Sequence, residues 1–184
     1  AHADSLHFIL HVFGAPFIID TGVSTYEPGN TRDYERSTHS HNTVVINSRN
    51  QSEVYGRFRA GRKARAFILM DSPGFLEASH DGYKMLKTWP KRSFEFKERE
   101  IIIRDVVGTK SRTACSAYFH IDKKCGLAGE GNLFRSKFVQ LSFQGADRTF
   151  VNDKWASHSF GWKVPAWEVK VDFTGTLVTR IYLP

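Results

Sequence analysis

Two imidazoles and one carboxylate stand where a hairpin can gather them. His2 opens the apolar stretch "HADSLHFILHVFGAPFIIDTG", Asp20 closes it, and His41 ends the connection that follows, just before "NTVVIN". Neutral imidazole nitrogens and a carboxylate oxygen are ligand types that zinc accepts, with water as a fourth. A turn at Gly14-Ala15-Pro16 folds the two apolar runs back on each other and brings His2 beside Asp20. The connection from Asp20 to His41 then runs roughly twenty residues, longer than a compact domain keeps without a purpose. The expected metal set is therefore His2, Asp20 and His41. His7 and His39 can reach the same region, and either can stand in for a ligand. The other places for them are under a neighbouring strand for His7 and in a cleft for His39. A hydrogen-bonding role at a strand edge is the alternative for every one of these imidazoles.

The elements that must position this set are strands. Hydrophobic residues recur with period two: Leu6, Phe8, Leu10 and Val12 share one face, with His7, Ile9 and His11 on the other. "RAFILMD", "FEFKEREIIIRDVV", "CSAYFHID", "KFVQLSFQG", "WEVKVDF" and "LVTRIYL" repeat the type, separated by clusters such as "DSPG", "HDG", "GTKS", "GEGN" and "QGAD". "KRSFEFKEREIIIRDVVG" reads as two antiparallel strands around a turn near Lys97–Arg99, with "RTACSAYFHID" returning as a third. One open sheet of so many strands leaves a large apolar face wet, so two stacked layers are required. The expected fold is all-β: a two-sheet, mostly antiparallel β-sandwich of supersandwich-like type with little helix. The one helical piece expected is "TRDYERST", 31–38. Trp155, Trp162 and Trp167 read as sandwich core or edge, and His80-Asp81 as a turn.

At 184 residues, one domain covering 1–184 is the expectation, and 41% hydrophobic with 14% aromatic residues argues against disorder. No apolar run reaches the ~18 residues of a membrane helix. The first residue is Ala, inside a strand-forming region, so the chain reads as a piece of a larger protein. The formal net charge of +7 favours polyanionic partners, acidic polysaccharide among them. No nucleic-acid-binding module or basic helix is present, so a nucleic-acid partner is not expected. The densest basic run, "YGRFRAGRKAR" with Arg57, Arg59, Arg62, Lys63 and Arg65, is either a solvated loop or a ligand groove. Cys115 and Cys125 lack metal spacing; they are either one disulfide or two buried thiols.

The ordered motifs resemble a known family. "AHADSLHFILHVFGAPFIIDTGVSTYEPG" followed by "RDYERSTHSHNTVVIN" is similar to the signature of the heparinase II/III polysaccharide lyases. His2 and Asp4 match the end of a His-x-His-x-Asp motif, and Asp20-Thr21-Gly22 an Asp-x-Gly. Arg36-Ser37-Thr38 and His41-Asn42-Thr43-Val44 match the last segment. "HDGY", 80–83, and "RDVVG" with "YFHID", 104–122, continue the likeness. The resemblance implies an N-terminal (α/α) toroid joined to a C-terminal β-sandwich. It implies β-elimination of uronate-containing polysaccharide in bacteria, in the periplasm or outside the cell. A base removes the proton alpha to the carboxylate, an acid protonates the leaving oxygen, and an Asn neutralises the carboxylate. It also implies zinc on His2, Asp20 and His41, holding the 21–40 loop. The family's first motif histidine falls before Ala1, and its toroid Tyr and Asn are absent, so no complete catalytic set is expected in this chain and it is expected to be inactive alone.

Three residues are substrate-binding candidates. Arg36 can meet a uronate carboxylate or bond a loop carbonyl. Tyr26 can stack on a sugar ring or anchor its loop, and His39 can line the cleft. Heparan sulfate, heparin, alginate and bacterial exopolysaccharide all fit as substrates. A non-catalytic acidic-glycan-binding or scaffolding sandwich is the alternative. A cupin-like metal barrel is disfavoured because no Glu lies between His2 and Glu27.

Overall fold

The structure is a computed structural model that describes residues 2–108 and 113–183. In chain order its elements are β1 (Leu10–Val12), β2 (Ala15–Ile18), α1 (Asn30–Arg36), β3 (Val44–Ile46), β4 (Val54–Tyr55) and β5 (Arg59–Ala60). There follow β6 (Ala66–Ser72), β7 (Phe75–His80), β8 (Lys91–Phe96), β9 (Glu100–Val106), β10 (Cys115–Asp122), β11 (Ala128–Glu130), β12 (Leu133–Arg135), β13 (Gln140–Ser159) and β14 (Trp162–Tyr182). The fold is the expected β-sandwich, and every strand pair among the described residues is antiparallel. The expected helix is α1, which starts one residue before the expected 31–38 and ends two residues short of it. The "GTKS" turn at 108–111 lies, beyond Gly108, outside the described residues.

The two layers are not separate sheets. They are joined by the long β13–β14 hairpin, which belongs to both. Ala166–Phe173 of β14 pairs with β10, while Thr176–Tyr182 pairs with β9. Between them the β13 register jumps from Gln144↔Val178 to Ala146↔Phe173. Gly145 sits at this corner with φ 88°, and a side-chain carbon there would strike the Thr176 carbonyl. Such irregularities are how strands turn a corner between layers. The β8–β9 hairpin forms as expected, but β10 does not lie beside β9; β14 comes between them. Local sequence marks the strands, whereas the placing of β14 depends on two partners far away in the chain, as in Ala166↔Asp122 of β10 and Tyr182↔Glu100 of β9.

Inside, Phe119 of β10 packs on Phe143 of β13 at 5.5 Å between ring centroids, and Phe8 packs on Phe94 of β8 at 5.3 Å. Phe119, Phe143 and Phe173 are fully buried, and each contributes about 1.5–3 kcal/mol. The odd positions of β10 (Cys115, Ala117, Phe119, Ile121) face this core. The even positions Tyr118, His120 and Asp122 are buried as well. Their face is covered by the 20–43 segment, and that cover carries the candidate site. Trp167 packs against the core, Trp155 meets the Tyr34 ring at 6.0 Å, and Trp162 stands exposed at the β13–β14 tip. Both cysteines are buried free thiols. Burial pushes the Cys115 thiol up to about 12 and the Cys125 thiol upward.

His80 and Asp81 form a turn: Gly82 N donates to His80 Nδ1, and Arg65 N donates to the Asp81 carboxylate. Burial, outweighing the pull of Asp81 and aided by Arg92, lowers the His80 pKa to about 4. The unfolded chain therefore takes up this proton from pH 6.5 downward while the folded chain does not. Stability present above pH 6.5 is lost as pH falls toward 4, by about 1–2 kcal/mol for His80 at pH 5. Urea unfolding with chelator present should show a lower midpoint at pH 5 than at pH 7.5, and His80→Asn should shrink that difference by His80's share while His2 and His7 keep theirs; a difference of unchanged size in the variant would contradict this.

Candidate metal centre and cleft wall

Asp20 leaves β2 in a fixed direction. Ile19 N donates to the His120 carbonyl at 2.8 Å, and Ser157 N donates to the Thr21 carbonyl at 2.7 Å. Gly22 bridges Ser157 in parallel with φ 69°, and any side chain there would collide with the Ser157 carbonyl. The long loop returns through α1 and a 3-10 turn, Thr38–Ser40. It is closed by Thr21 Oγ1 donating to the Ser40 carbonyl and Ser40 Oγ donating to the Glu35 carbonyl, both at 3.0 Å. His41 thereby meets Asp20, with Nδ1 2.8 Å from Oδ1.

Four expected residues converge here. The His2 ring lies 5.3 Å and the His7 ring 5.4 Å from the His41 ring, centroid to centroid. His7 Nε2 is 3.8 Å from Asp20 Oδ1. Ligand-capable atoms of His7, Asp20 and His41 all fall within 4.8 Å of one another. Burial works to raise the Asp20 pKa, but the bond and attraction to His41, with His7 adding, hold it down at about 2. Burial lowers His2 to about 4, helped by His41 and Arg32, and lowers His7 to about 4 against the attraction of Asp20. The Asp20 carboxylate is thus ionised beside neutral His2 and His7 rings at neutral pH.

Hydrogen bonding sorts these imidazoles. Asn42 N donates to His7 Nδ1 at 2.9 Å, so the neutral His7 ring carries its hydrogen on Nε2. A protonated Nε2 has no lone pair for a metal. His41 is the reverse case. Its Nδ1 faces the Asp20 carboxylate and carries the hydrogen, while its Nε2 is buried with no hydrogen-bond partner among the described residues. A buried lone pair of this kind is costly unless a ligand fills it. A carboxylate behind a metal-binding imidazole is a common way to fix its tautomer and orientation. The donor chemistry therefore fits a divalent ion on His41 with His2, places Asp20 of the expected set behind His41 as the carboxylate that orients its ring, and sets His7 apart, its Nε2 facing Asp20 at 3.8 Å.

Asn42 holds this arrangement and was not singled out by spacing. Its Nδ2 donates to the carbonyls of Phe8 and Ile19, both at 2.8 Å, and its Oδ1 accepts from His120 N at 2.7 Å and Nδ1 at 3.1 Å. Its carbonyl accepts from Arg92 Nη1 at 2.6 Å. His120 continues to Tyr34 Oη at 3.4 Å and Glu168 at 3.7 Å. Burial raises the Tyr34 pKa, with Glu168 adding, so the phenol stays protonated. In the sequence the traces of this network are the matched His41-Asn42-Thr43-Val44 segment and polar residues on buried strands: His120 within "YFHID" and Glu168 within "WEVKV".

The substrate candidates separate. His39 lies off the cluster, its ring 5.4 Å from that of Tyr118. Tyr26 is exposed on the loop. Arg36 is buried, and its guanidinium donates to the carbonyls of Tyr55 (3.0 Å), Gly56 (2.5 Å) and Arg59 (2.6 Å). That geometry corrects the uronate-binding expectation: Arg36 is a clamp on the β4–β5 turn, because three converging carbonyls out-compete solvent for a fork of donors. Arg36→Ala should cost about 1–3 kcal/mol by orphaning those carbonyls. The check is hydrogen exchange, which should speed up across residues 54–60; unchanged protection there would argue against the clamp. In the basic run, Arg62 donates to the carbonyls of Gln51 and Gly82, and Arg57 pairs with Glu27 at 2.9 Å, so much of it braces loops.

A family model described as Heparinase II/III-like, C-terminal, matches residues 1–179. The chain belongs to this family. Solved structures agree on the fold of this heparinase II/III-like chain. A heparinase III superposes with TM-score 0.78 at 15% identity, and a heparinase III gene product with 0.76 at 17%. The heparan sulfate lyase HepC from Pedobacter heparinus gives 0.73 at 18%. Each match covers 99% of this chain and 30% of the other, so the chain spans under a third of the length of these relatives. No curated protein sequence matches it. Among the described residues no helix is long and apolar enough to cross a membrane.

Proposed function

We propose that this chain is the β-sandwich part of a bacterial, secreted or periplasmic lyase that cleaves uronate-containing polysaccharide by β-elimination in concert with an N-terminal (α/α) toroid. The match to the heparinase II/III-like C-terminal family over residues 1–179 carries this reading. The sandwich contributes one wall of the cleft and a zinc held by His2 and His41, with Asp20 behind the His41 ring. When bound, zinc supplies a positive centre that ties the start of the chain to His41 at the end of the 21–40 loop. Asp20 orients His41, His7 Nε2 faces Asp20 at 3.8 Å, and Asn42 holds His7 and His120 in register.

Elimination needs a base, an acid and a neutralised carboxylate held together, since the proton alpha to a uronate carboxylate is weakly acidic. The motif histidine before Ala1 and the toroid Tyr and Asn are the groups that the family pattern adds to this chain. Losing one positioned acid–base group costs ~100- to 10,000-fold in rate. The isolated chain is therefore expected to leave heparan sulfate and alginate intact, and the longer protein to release unsaturated uronate, followed by its ultraviolet absorbance. Product formation by the 184-residue chain alone would show that it carries its own catalytic set.

A further inference from the structure

Three aromatic rings from distant parts of the chain meet in the open. Tyr26 lies in the loop after β2, Phe58 in the β4–β5 turn and Phe160 at the tip of the β13–β14 hairpin. The Tyr26 ring centroid is 4.8 Å from that of Phe160 and 5.4 Å from that of Phe58. Tyr26 is nevertheless 45%, Phe58 59% and Phe160 60% exposed, and Trp162 on the same tip is 75% exposed. Isolated exposed apolar residues are ordinary, but a contiguous patch assembled from three loops marks a binding surface.

The patch has a rigid base. Arg32, 3% exposed, sets its guanidinium carbon 5.2 Å from the Tyr26 ring centroid and 6.0 Å from that of Phe58. Its Nε donates to the Arg57 carbonyl at 3.3 Å, which pins the turn bearing Phe58. Glu35 lies 3.5 Å from Arg32 Nη1 and accepts from Ser24 N and Oγ at 2.7 and 2.6 Å, which pins the loop bearing Tyr26. One ion pair on α1 thus orders two of the three rings before any ligand arrives, which lowers the entropy cost of binding. The polar rim beside the rings is the exposed Arg57–Glu27 pair, which offers donors and acceptors together and little net charge.

We propose that Tyr26, Phe58 and Phe160 form a glycan platform that stacks the C–H faces of successive pyranose rings, with the Arg57–Glu27 rim meeting ring hydroxyls. A sugar ring has this amphipathic shape: an apolar face and a polar edge. The ligand class rests on the polysaccharide reading above, while the platform itself rests on the exposed rings and their buried base. Stacking on aromatic faces is insensitive to salt, which separates it from attraction by the chain's general positive charge.

The test is calorimetric titration of the chain with three hexasaccharides: heparan sulfate-derived, alginate-derived and neutral cellohexaose. Binding of at least one, weakened about 3- to 10-fold by Phe58→Ala and by Phe160→Ala with the loss persisting at high salt, supports the platform. Phe160→Trp should restore binding. All three side chains are exposed, so unchanged melting temperature and zinc content are expected of the variants. Equal binding by wild type and the alanine variants overturns the platform and leaves the polysaccharide reading standing. No binding of any probe also overturns the platform; the lyase reading is then judged separately, by product absorbance from the longer protein.

Discussion

His41→Ala is expected to strip the chain of zinc, while His7→Asn leaves it bound. The two rings lie in one cluster and look interchangeable by distance. Their hydrogen bonds make them different. His41 turns Nδ1 to Asp20 and keeps a buried, unpartnered lone pair on Nε2. His7 spends its Nδ1 lone pair on Asn42 N, which leaves a hydrogen on Nε2. Asparagine at position 7 keeps an acceptor where Nδ1 stood and removes only Nε2. Loss of an outer partner of a metal ligand costs about 10–100-fold in affinity, so loss of His41 itself should cost at least about 100-fold, and His7→Asn should stay within about tenfold. Elemental analysis after dialysis, backed by competition with a chromogenic chelator, reads both. His2→Ala should behave like His41→Ala. Zinc retained at full stoichiometry in His41→Ala, or lost equally in His7→Asn, would refute the assignment.

Arg92→Ala should be the most destabilising single change near the site. Arg92 and Asp105 are both fully buried and paired through two bonds, Nε–Oδ1 at 2.7 Å and Nη2–Oδ2 at 2.9 Å. Nη1 donates to the carbonyls of Leu6 at 3.0 Å and Asn42 at 2.6 Å. Truncation leaves a buried carboxylate with no counter-charge, which costs about 3–5 kcal/mol. For a chain of this size that lowers the melting temperature by roughly 10 °C. Arg92→Lys should recover little, because an ammonium cannot reproduce the planar fork. Replacing both partners with leucine should cost less than Arg92→Ala, since no uncompensated charge remains. Zinc affinity should fall in all three variants, because Asn42 loses its anchor next to His41. Thermal unfolding followed by circular dichroism decides this: a single variant within about 1 kcal/mol of wild type would show that the pair carries little.

The period-two runs and the turn clusters between them specified a β-sandwich with one short helix, because strand alternation and turn chemistry are local properties. The ordered motifs marked Asp20 and His41 as partners, and a loop of that length between them had to fold back. Both features are written in residue types at short range. The tautomers were not. That His41 presents a bare Nε2 and His7 a protonated one depends on Asp20 and on the Asn42 backbone, and no spacing rule encodes a hydrogen bond between residues 7 and 42. Arg36 shows the same limit: its type suited either a uronate or a carbonyl, and only the approach of the β4–β5 turn committed its donors to carbonyls. The sharing of β13 and β14 between both layers, with β14 set between β9 and β10, likewise came from long-range pairing around the Gly145 corner. Sequence alone determined which residues are strand, turn and candidate ligand; tertiary structure decided which lone pairs, donors and rings face one another, because those depend on distances between segments far apart in the chain.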